Sequence, residues 1–184
     1  QRLRLRPRVL RSLAHGHTRR ELLSRTLEHP ILIAPMAYQR LAHPHGEQAS
    51  ALTAAMLGAG YVLSTQASVP MEDIASLVLN EPSRGPLWFQ LYWQVDRGWT
   101  RDLIHRAEAA GFEALVLTVD APVQGVRDRE RSSRFCLPAG ITAINLPQQA
   151  RDTAAHASLF DNLLTACPDW TDIAWLRSIT RLPI

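Results

Sequence analysis

Short apolar runs alternate along the chain with stretches whose apolar residues recur at helical spacing. The apolar runs predict strands over residues 31–35, 61–65, 87–92 and 114–119. The amphipathic stretches predict helices over residues 47–57, 70–79, 101–110 and 169–180. Gly111 follows the third helix, where a glycine cap is expected, and Leu182-Pro-Ile184 has the composition of a strand that is beginning. The pattern therefore predicts four strand–helix units and the start of a fifth.

Repeated strand–helix units predict a parallel sheet with right-handed crossovers, either doubly wound or closed into a (β/α)8 barrel. No Gly-x-Gly-x-x-Gly follows a predicted strand, which weighs against a dinucleotide-binding unit. A barrel usually needs about 250 residues, so four units are about half of one. We predict an α/β fold, a (β/α)8 barrel of which this chain covers strands 1–4 and the start of strand 5. Residues 1–30 would precede the barrel, 31–184 would form its first half, and a variable loop would lie at about 136–168.

Composition excludes several classes of protein. The apolar fraction is 46%, and no apolar run approaches the roughly 20 residues that span a bilayer. The first 25 residues lack the apolar core of a secretory signal, so we expect a cytoplasmic location, either free or peripheral to the inner membrane. Cys136 and Cys167 lie far apart without a Cys-x-x-Cys spacing, which predicts reduced thiols and no metal site.

The basic residues are unusual, because all 20 are arginine and the chain has no lysine. No reaction step within this chain can therefore use a lysine amine. Arginines are dense in the first 25 residues, and such an arm can contact phosphates. A nucleic-acid binder is thus one alternative, and a solvated or inter-subunit arm is the simpler interpretation.

Polar residues follow the predicted strands at the ends where a (β/α)8 barrel carries its active site. They provide amide and hydroxyl groups for a polar heterocycle, a phenol for an oxygen that gains charge, and a guanidinium for a carboxylate. Taken singly, each is also an ordinary strand-end or loop residue. The polar candidates are Ser64, Gln90, Tyr92, Thr118, Asp120 and Arg127, and the segment Pro35, Met36 and Ala37 follows the first predicted strand at the same end.

Several motifs together resemble one family in order and spacing. They are Ile31-Leu-Ile-Ala-Pro-Met-Ala-Tyr38, Trp88-Phe-Gln-Leu-Tyr92, Leu117-Thr-Val-Asp-Ala-Pro122 and Gly125-Val-Arg-Asp-Arg-Glu130. These resemble the FMN-dependent α-hydroxy-acid oxidases and dehydrogenases, which include lactate oxidase, glycolate oxidase, hydroxymandelate oxidase and flavocytochrome b2. The resemblance covers nearly the whole chain except about residues 147–167.

The resemblance implies a role for each candidate. The backbone at Pro35, Met36 and Ala37 would lie against the flavin ring. The side chains of Ser64, Gln90 and Thr118 would hydrogen-bond the ring edge. Two residues would contact the substrate, Tyr92 through its phenol and Arg127 through the substrate carboxylate, and Asp120 would orient a catalytic histidine. These last three are the catalytic candidates.

The function implied is FMN-dependent oxidation of a lactate-like L-2-hydroxy acid to the 2-oxo acid, with O2 or an electron carrier as the final acceptor. The family's lysine, catalytic histidine and second arginine would follow Ile184, and a substrate-contacting tyrosine would precede Gln1. The resemblance also implies a homo-oligomer, a tetramer in many relatives, and no nucleic-acid partner. The alternative is a non-catalytic half-barrel that needs a partner chain.

Overall fold

The computed structural model of the protein describes residues 3–4, 6–23, 25–94, 96–120, 128–148 and 168–184. Its strands are β1 (Arg20–Leu22), β2 (Arg25–Leu27), β3 (Leu32–Ile33), β4 (Gly60–Ser64), β5 (Leu87–Leu91) and β6 (Ala114–Leu117). Its helices are α1 (Glu47–Met56), α2 (Met71–Leu79), α3 (Arg97–Ala110), α4 (Asp128–Ser133) and α5 (Trp170–Ile179), with a 3-10 turn at Gln39–Leu41. No helix in these ranges is long and apolar enough to cross a membrane.

Strands β3 to β6 form one parallel sheet in the order of the sequence. The amide of Leu115 in β6 donates to the carbonyl of Pro183 at 2.8 Å, so the chain beyond α5 begins a fifth strand beside β6. A doubly wound sheet reverses its strand order at a switch point, whereas a barrel adds strands in sequence. The described half of the sheet therefore has the barrel order that the sequence predicted.

The outward face of this sheet packs against the helices. The core contains Leu63 of β4, Phe89 of β5 and Leu115 of β6. Phe89 meets Phe112, which follows α3, edge to face at 5.8 Å between ring centroids. Side chains alternate along a strand. Because Phe89 points outward to the helices, its neighbours Trp88 and Gln90 point toward the barrel interior.

Capping explains where two helices begin and end. Helix α3 begins at Arg97, four residues before the predicted start, because the Asp96 side chain accepts hydrogen bonds from the amides of Gly98 and Trp99. Gly111 ends α3 with φ of 96°, a left-handed conformation suited to glycine, which confirms the predicted cap. Asp169 caps α5 in a reciprocal arrangement with Asp172.

A hairpin and a short helix were not predicted. Strands β1 and β2 pair as an antiparallel hairpin, and helix α4 lies within the stretch that the sequence left irregular. Every residue of β1 is exposed, so it carries no apolar alternation to reveal it. Three predicted strands, at 31–35, 87–92 and 114–119, were also one to three residues longer than observed, since the backbone pairing of β3 ends at Ile33 and that of β6 at Leu117. The boundaries at residues 1–30 and 31–184 remain predictions.

Candidate active site at the carboxyl ends of the strands

An amide and two hydroxyls connect three neighbouring strands at their carboxyl ends. The Gln90 amide oxygen accepts from the Ser64 hydroxyl at 3.3 Å and from the Thr65 amide at 3.1 Å. The Gln90 amide nitrogen donates to the Thr118 hydroxyl at 2.9 Å. Ser64 and Gln90 are buried, with exposed fractions of 4% and 1%, and Thr118 is half-buried. The structure therefore brings together three residues that the sequence placed on separate strands.

The hydrogen bonds from Ser64 through Gln90 to Thr118 form a relay. Thr65 supports this relay, although it was not among the predicted site residues. Its buried hydroxyl donates to the Gln90 carbonyl at 2.6 Å and accepts from the Tyr92 amide at 3.0 Å. The Tyr92 carbonyl in turn accepts from the Gln94 side chain at 2.8 Å. The backbone of Tyr92 is thus fixed on both sides while its side chain remains half-buried at the end of β5.

The loop after β3 presents its backbone at the same end of the sheet. Pro35, Met36 and Ala37 are exposed, and the Met36 side chain is 49% exposed. Tyr38 follows with a left-handed φ of 51°, and its amide donates to the Gln66 carbonyl at 3.1 Å. Burial raises the pKa of the Tyr38 phenol, so this side chain stays uncharged well above neutral pH.

The two remaining candidates follow β6. Asp120 is exposed at the last described position before the gap, next to Val119, which is 72% exposed. Its role in orienting a histidine, which the family resemblance implies, stays a prediction. Arg127 lies outside the described residues, so its predicted role stays a prediction.

A buried carboxylate organises the loops that surround these candidates. Glu47 accepts hydrogen bonds from the amides of Gln39 and Ser68 and from the Ser68 hydroxyl. The Gln39 side chain also donates to the Tyr61 phenol at 3.0 Å. Burial raises the pKa of Tyr61, as does the nearby charge of Glu47, while hydrogen bonds with Ser50 and Gln39 lower it. Sequence spacing could not reveal this cluster, because Glu47 and Ser68 are 21 residues apart.

A separate cavity of about 260 Å³ lies at the opposite ends of the strands. It is lined by Leu22, Leu23, Arg25, Pro86, Trp88 and Glu113. None of the predicted site residues lines it. This cavity belongs to the amino ends of the strands, where a (β/α)8 barrel carries no active site.

The donor set at the carboxyl ends fits the edge of a flavin ring, which offers carbonyl oxygens and ring nitrogens. The Thr118 hydroxyl accepts from Gln90, which leaves its own hydrogen for another acceptor. The Gln90 amide nitrogen likewise has a second hydrogen beyond the one that it gives to Thr118. Neither hydrogen has a described partner within the part of the chain that the structure covers. Two directed donors beside exposed backbone are what a ring with acceptor atoms requires.

Comparisons with known proteins agree with this geometry. An L-lactate oxidase of Nostoc sp. is 42% identical over 191 residues and covers 100% of this chain. A 4-hydroxymandelate oxidase of Amycolatopsis orientalis is 39% identical over 97% of the chain, and 2-hydroxyacid oxidase 2 of Rattus norvegicus is 37% identical over 100%. The chain spans about half the length of these relatives, 52%, 50% and 51% respectively.

Solved structures show the same fold. Mandelate oxidase with (S)-4-hydroxymandelic acid superimposes with a TM-score of 0.81 at 39% identity, covering 96% of this chain and 50% of that one. A mandelate oxidase variant with a C4a-OH-FMN adduct gives a TM-score of 0.77 at 37% identity, covering 96% and 47%. The first half of a (β/α)8 barrel is thereby confirmed. The sequence model of the FMN-dependent dehydrogenases matches residues 1–184, and the chain belongs to that family.

Proposed function

We propose that the intact polypeptide oxidises an L-2-hydroxy acid to the 2-oxo acid with FMN as cofactor and O2 or an electron carrier as final acceptor. The family supports FMN, and the relatives named as lactate, 2-hydroxyacid and hydroxymandelate oxidases support the substrate class. Because this chain spans about half of each relative, the proposal concerns the whole polypeptide rather than these residues alone.

The observation that carries the proposal is the relay from Ser64 through Gln90 to Thr118. Within the described residues it leaves two donors with unused hydrogens, the Gln90 amide nitrogen and the Thr118 hydroxyl, at the carboxyl ends of β5 and β6, beside the exposed backbone of residues 35–37. In a water-excluded mouth such donors bind a polar ring edge strongly, because leaving them without partners there is costly. These residues would hold the cofactor, and bound FMN would supply the two-electron redox chemistry.

The exposed residues would handle the substrate. The Tyr92 phenol can donate to the substrate hydroxyl or carboxylate, since its backbone is fixed and its side chain is half-buried. Arg127 would pair with the carboxylate through two parallel hydrogen bonds. Asp120 would orient an imidazole and stabilise its protonated form, so that a histidine elsewhere in the polypeptide can take and hold the proton of the substrate.

A short substrate is the preferred candidate. Gln66 is a half-buried polar residue two positions after Ser64. A polar amide there suits a small acid such as lactate better than an aryl acid. The L-lactate oxidases of Nostoc sp. and Alicycliphilus denitrificans, each 42% identical to the chain, support the same choice.

The experiment is anaerobic reduction of the flavin. The intact polypeptide is purified, its bound flavin is identified, and the loss of the oxidised flavin band is followed with L-lactate, glycolate and L-mandelate, with D-lactate as the stereochemical control. We expect yellow protein, loss of colour fastest with L-lactate, and no loss with D-lactate. Colourless protein that does not bind added FMN would contradict the proposal and favour a non-catalytic half-barrel.

Assembly and location are proposals of the same kind. We propose a homo-oligomer with four subunits, on the family resemblance, and a cytoplasmic location, on an exposed free thiol at Cys136 that is typical of a reducing compartment. Light scattering of the purified polypeptide tests the first, and a monomeric mass would contradict it. Cell fractionation tests the second, and recovery from a secreted fraction would contradict it.

A further inference from the structure

Glu47 is a charged residue with no exposed surface, which makes it unusual among the glutamates of the described chain. It is the first residue of α1, and its carboxylate accepts from the Gln39 amide at 3.1 Å, the Ser68 amide at 2.8 Å and the Ser68 hydroxyl at 2.7 Å. Within the described residues no arginine or histidine forms an ion pair with it. Its charge is therefore balanced by donors from two loops.

Those donors join the loop after β3 to the loop after β4. Three consecutive amides of the first loop are held: Tyr38 by the Gln66 carbonyl, Gln39 by Glu47, and Arg40 by the Ser68 hydroxyl. Ser68 itself is 3% exposed and gives both of its donors to Glu47. The carboxylate is thus the common acceptor on which the two loops meet.

A carboxylate is better suited to this position than a neutral side chain. Hydrogen bonds to an ionised acceptor are about twice as strong as neutral ones, which offsets part of the cost of burying the charge. The first turn of α1 also favours a negative charge. Gly46 allows the close approach, since its φ is 49° and a Cβ there would lie 2.8 Å from Arg40 Cγ and 3.1 Å from the Arg40 amide nitrogen.

We propose that Glu47 is a positioning residue: its carboxylate fixes the loop after β3 against the loop after β4, so that the backbone of residues 35–37 and the Ser64 hydroxyl face the flavin together. The inference rests on the proposed FMN binding and deepens it. In this proposal Glu47 has no contact with the cofactor or the substrate. It acts because residues 38–40 directly follow the segment whose backbone would contact the ring.

The test compares Glu47→Ala with Glu113→Gln, which alters a partly buried carboxylate at the opposite ends of the strands. FMN is titrated into the intact apoprotein of each, and amide hydrogen exchange is measured without FMN. For Glu47→Ala we expect FMN affinity to fall on the order of tenfold or more, with faster exchange at Gln39 and Ser68. For Glu113→Gln we expect FMN affinity within about twofold of the wild type, because the carboxyl ends are unchanged.

Glu47→Gln keeps the inference testable if Glu47→Ala does not fold. Glutamine retains an oxygen for the two amides, but its own NH2 would face the Ser68 hydroxyl, so we expect an FMN affinity between wild type and Glu47→Ala, or a severalfold loss. Folded Glu47 variants that bind FMN as tightly as the wild type would overturn this inference alone. Unchanged amide hydrogen exchange at Gln39 and Ser68 in those variants would do the same. A wild type that binds no FMN would overturn the proposed function and this inference with it.

Discussion

The two ends of the parallel sheet use polar residues in opposite ways. At the carboxyl ends, neutral groups of Ser64, Gln90 and Thr118 form a largely buried relay that leaves two donors without a partner among the described residues. At the amino ends, the Glu113 carboxylate accepts from Arg25 at 2.6 Å and from Arg84 at 2.8 Å. The carboxyl ends therefore retain hydrogen-bond donors for a ligand, whereas the charged groups at the amino ends pair within the chain.

The charged end fastens the hairpin to the sheet. Arg25 belongs to β2, and its guanidinium also donates to the Arg84 carbonyl at 3.2 Å, just before β5. The Glu113 carboxylate further accepts from the Leu87 amide at 3.3 Å. Each contact joins segments distant in sequence, so this end contributes to stability. We therefore expect a change at the carboxyl ends to alter binding and a change at the amino ends to alter folding.

The largest effect is expected from Asp120→Asn. This change removes the charge that would stabilise a protonated histidine, so the rate of flavin reduction by L-lactate should fall on the order of 100-fold or more. The free energy of unfolding should stay within about 0.5 kcal/mol of the wild type, because the side chain is exposed. Stopped-flow anaerobic reduction and urea denaturation measure the two. An unchanged reduction rate would remove Asp120 from the proposed chemistry.

Thr118→Val tests the relay itself. Valine keeps the shape of threonine but removes the acceptor for the Gln90 amide and the free hydroxyl hydrogen, so FMN affinity should fall about tenfold. Fluorescence titration of FMN measures this, and Thr53→Val on the exposed side of α1 is a matched control because its hydroxyl only returns to the helix backbone. Equal losses in both variants would show that the relay has no special role.

Glu113→Gln tests the other half of the comparison. The neutral amide weakens two charge-assisted hydrogen bonds at a carboxylate that is 26% exposed, so the free energy of unfolding should fall by about 1–2 kcal/mol. FMN affinity should remain within about twofold. Chemical denaturation and FMN titration of the same preparation measure both. A variant with normal stability and weakened FMN binding would reverse the assignment of the two ends.

Glu72→Gln should have the smallest effect on the free energy of unfolding, and this effect should depend on pH. The Arg106 guanidinium holds the pKa of Glu72 below its ordinary value of 4.5. A pKa that is lower in the folded state than in the unfolded state stabilises the fold at pH values above the ordinary pKa. This stabilisation is lost as the pH falls through the folded-state pKa. The free energy of unfolding of the wild type should exceed that of the variant by a few tenths of a kcal/mol at neutral pH, since the pair is about half exposed, and this difference should disappear as the pH falls below the lowered pKa. A difference that grows on acidification would contradict this.

The parts of the fold that could be predicted were those with a local signal. The strand–helix alternation follows from apolar spacing, and the end of α3 follows from Gly111. The start of α3 was predicted too late because Gly98 in its first turn weakens the helical pattern, whereas the Asp96 cap stabilises that turn in the folded chain. The hairpin was missed because β1 has no buried residue.

The candidate site divides in the same way. Ser64, Gln90 and Thr118 could be identified because strand ends converge in a parallel barrel, although their hydrogen bonds to one another could not. Glu47 could not be identified as a buried acceptor, because its partners lie in two loops and only the folded chain joins them. Short-range pattern predicts elements, whereas the contacts between loops depend on tertiary packing.

The most direct measurement is the structure of the intact polypeptide with FMN bound. We predict the flavin ring at the carboxyl ends of β4, β5 and β6, with the Thr118 hydroxyl and the Gln90 amide nitrogen within about 3.2 Å of ring acceptor atoms. A ring bound elsewhere, with these two groups facing only protein or water, would contradict it.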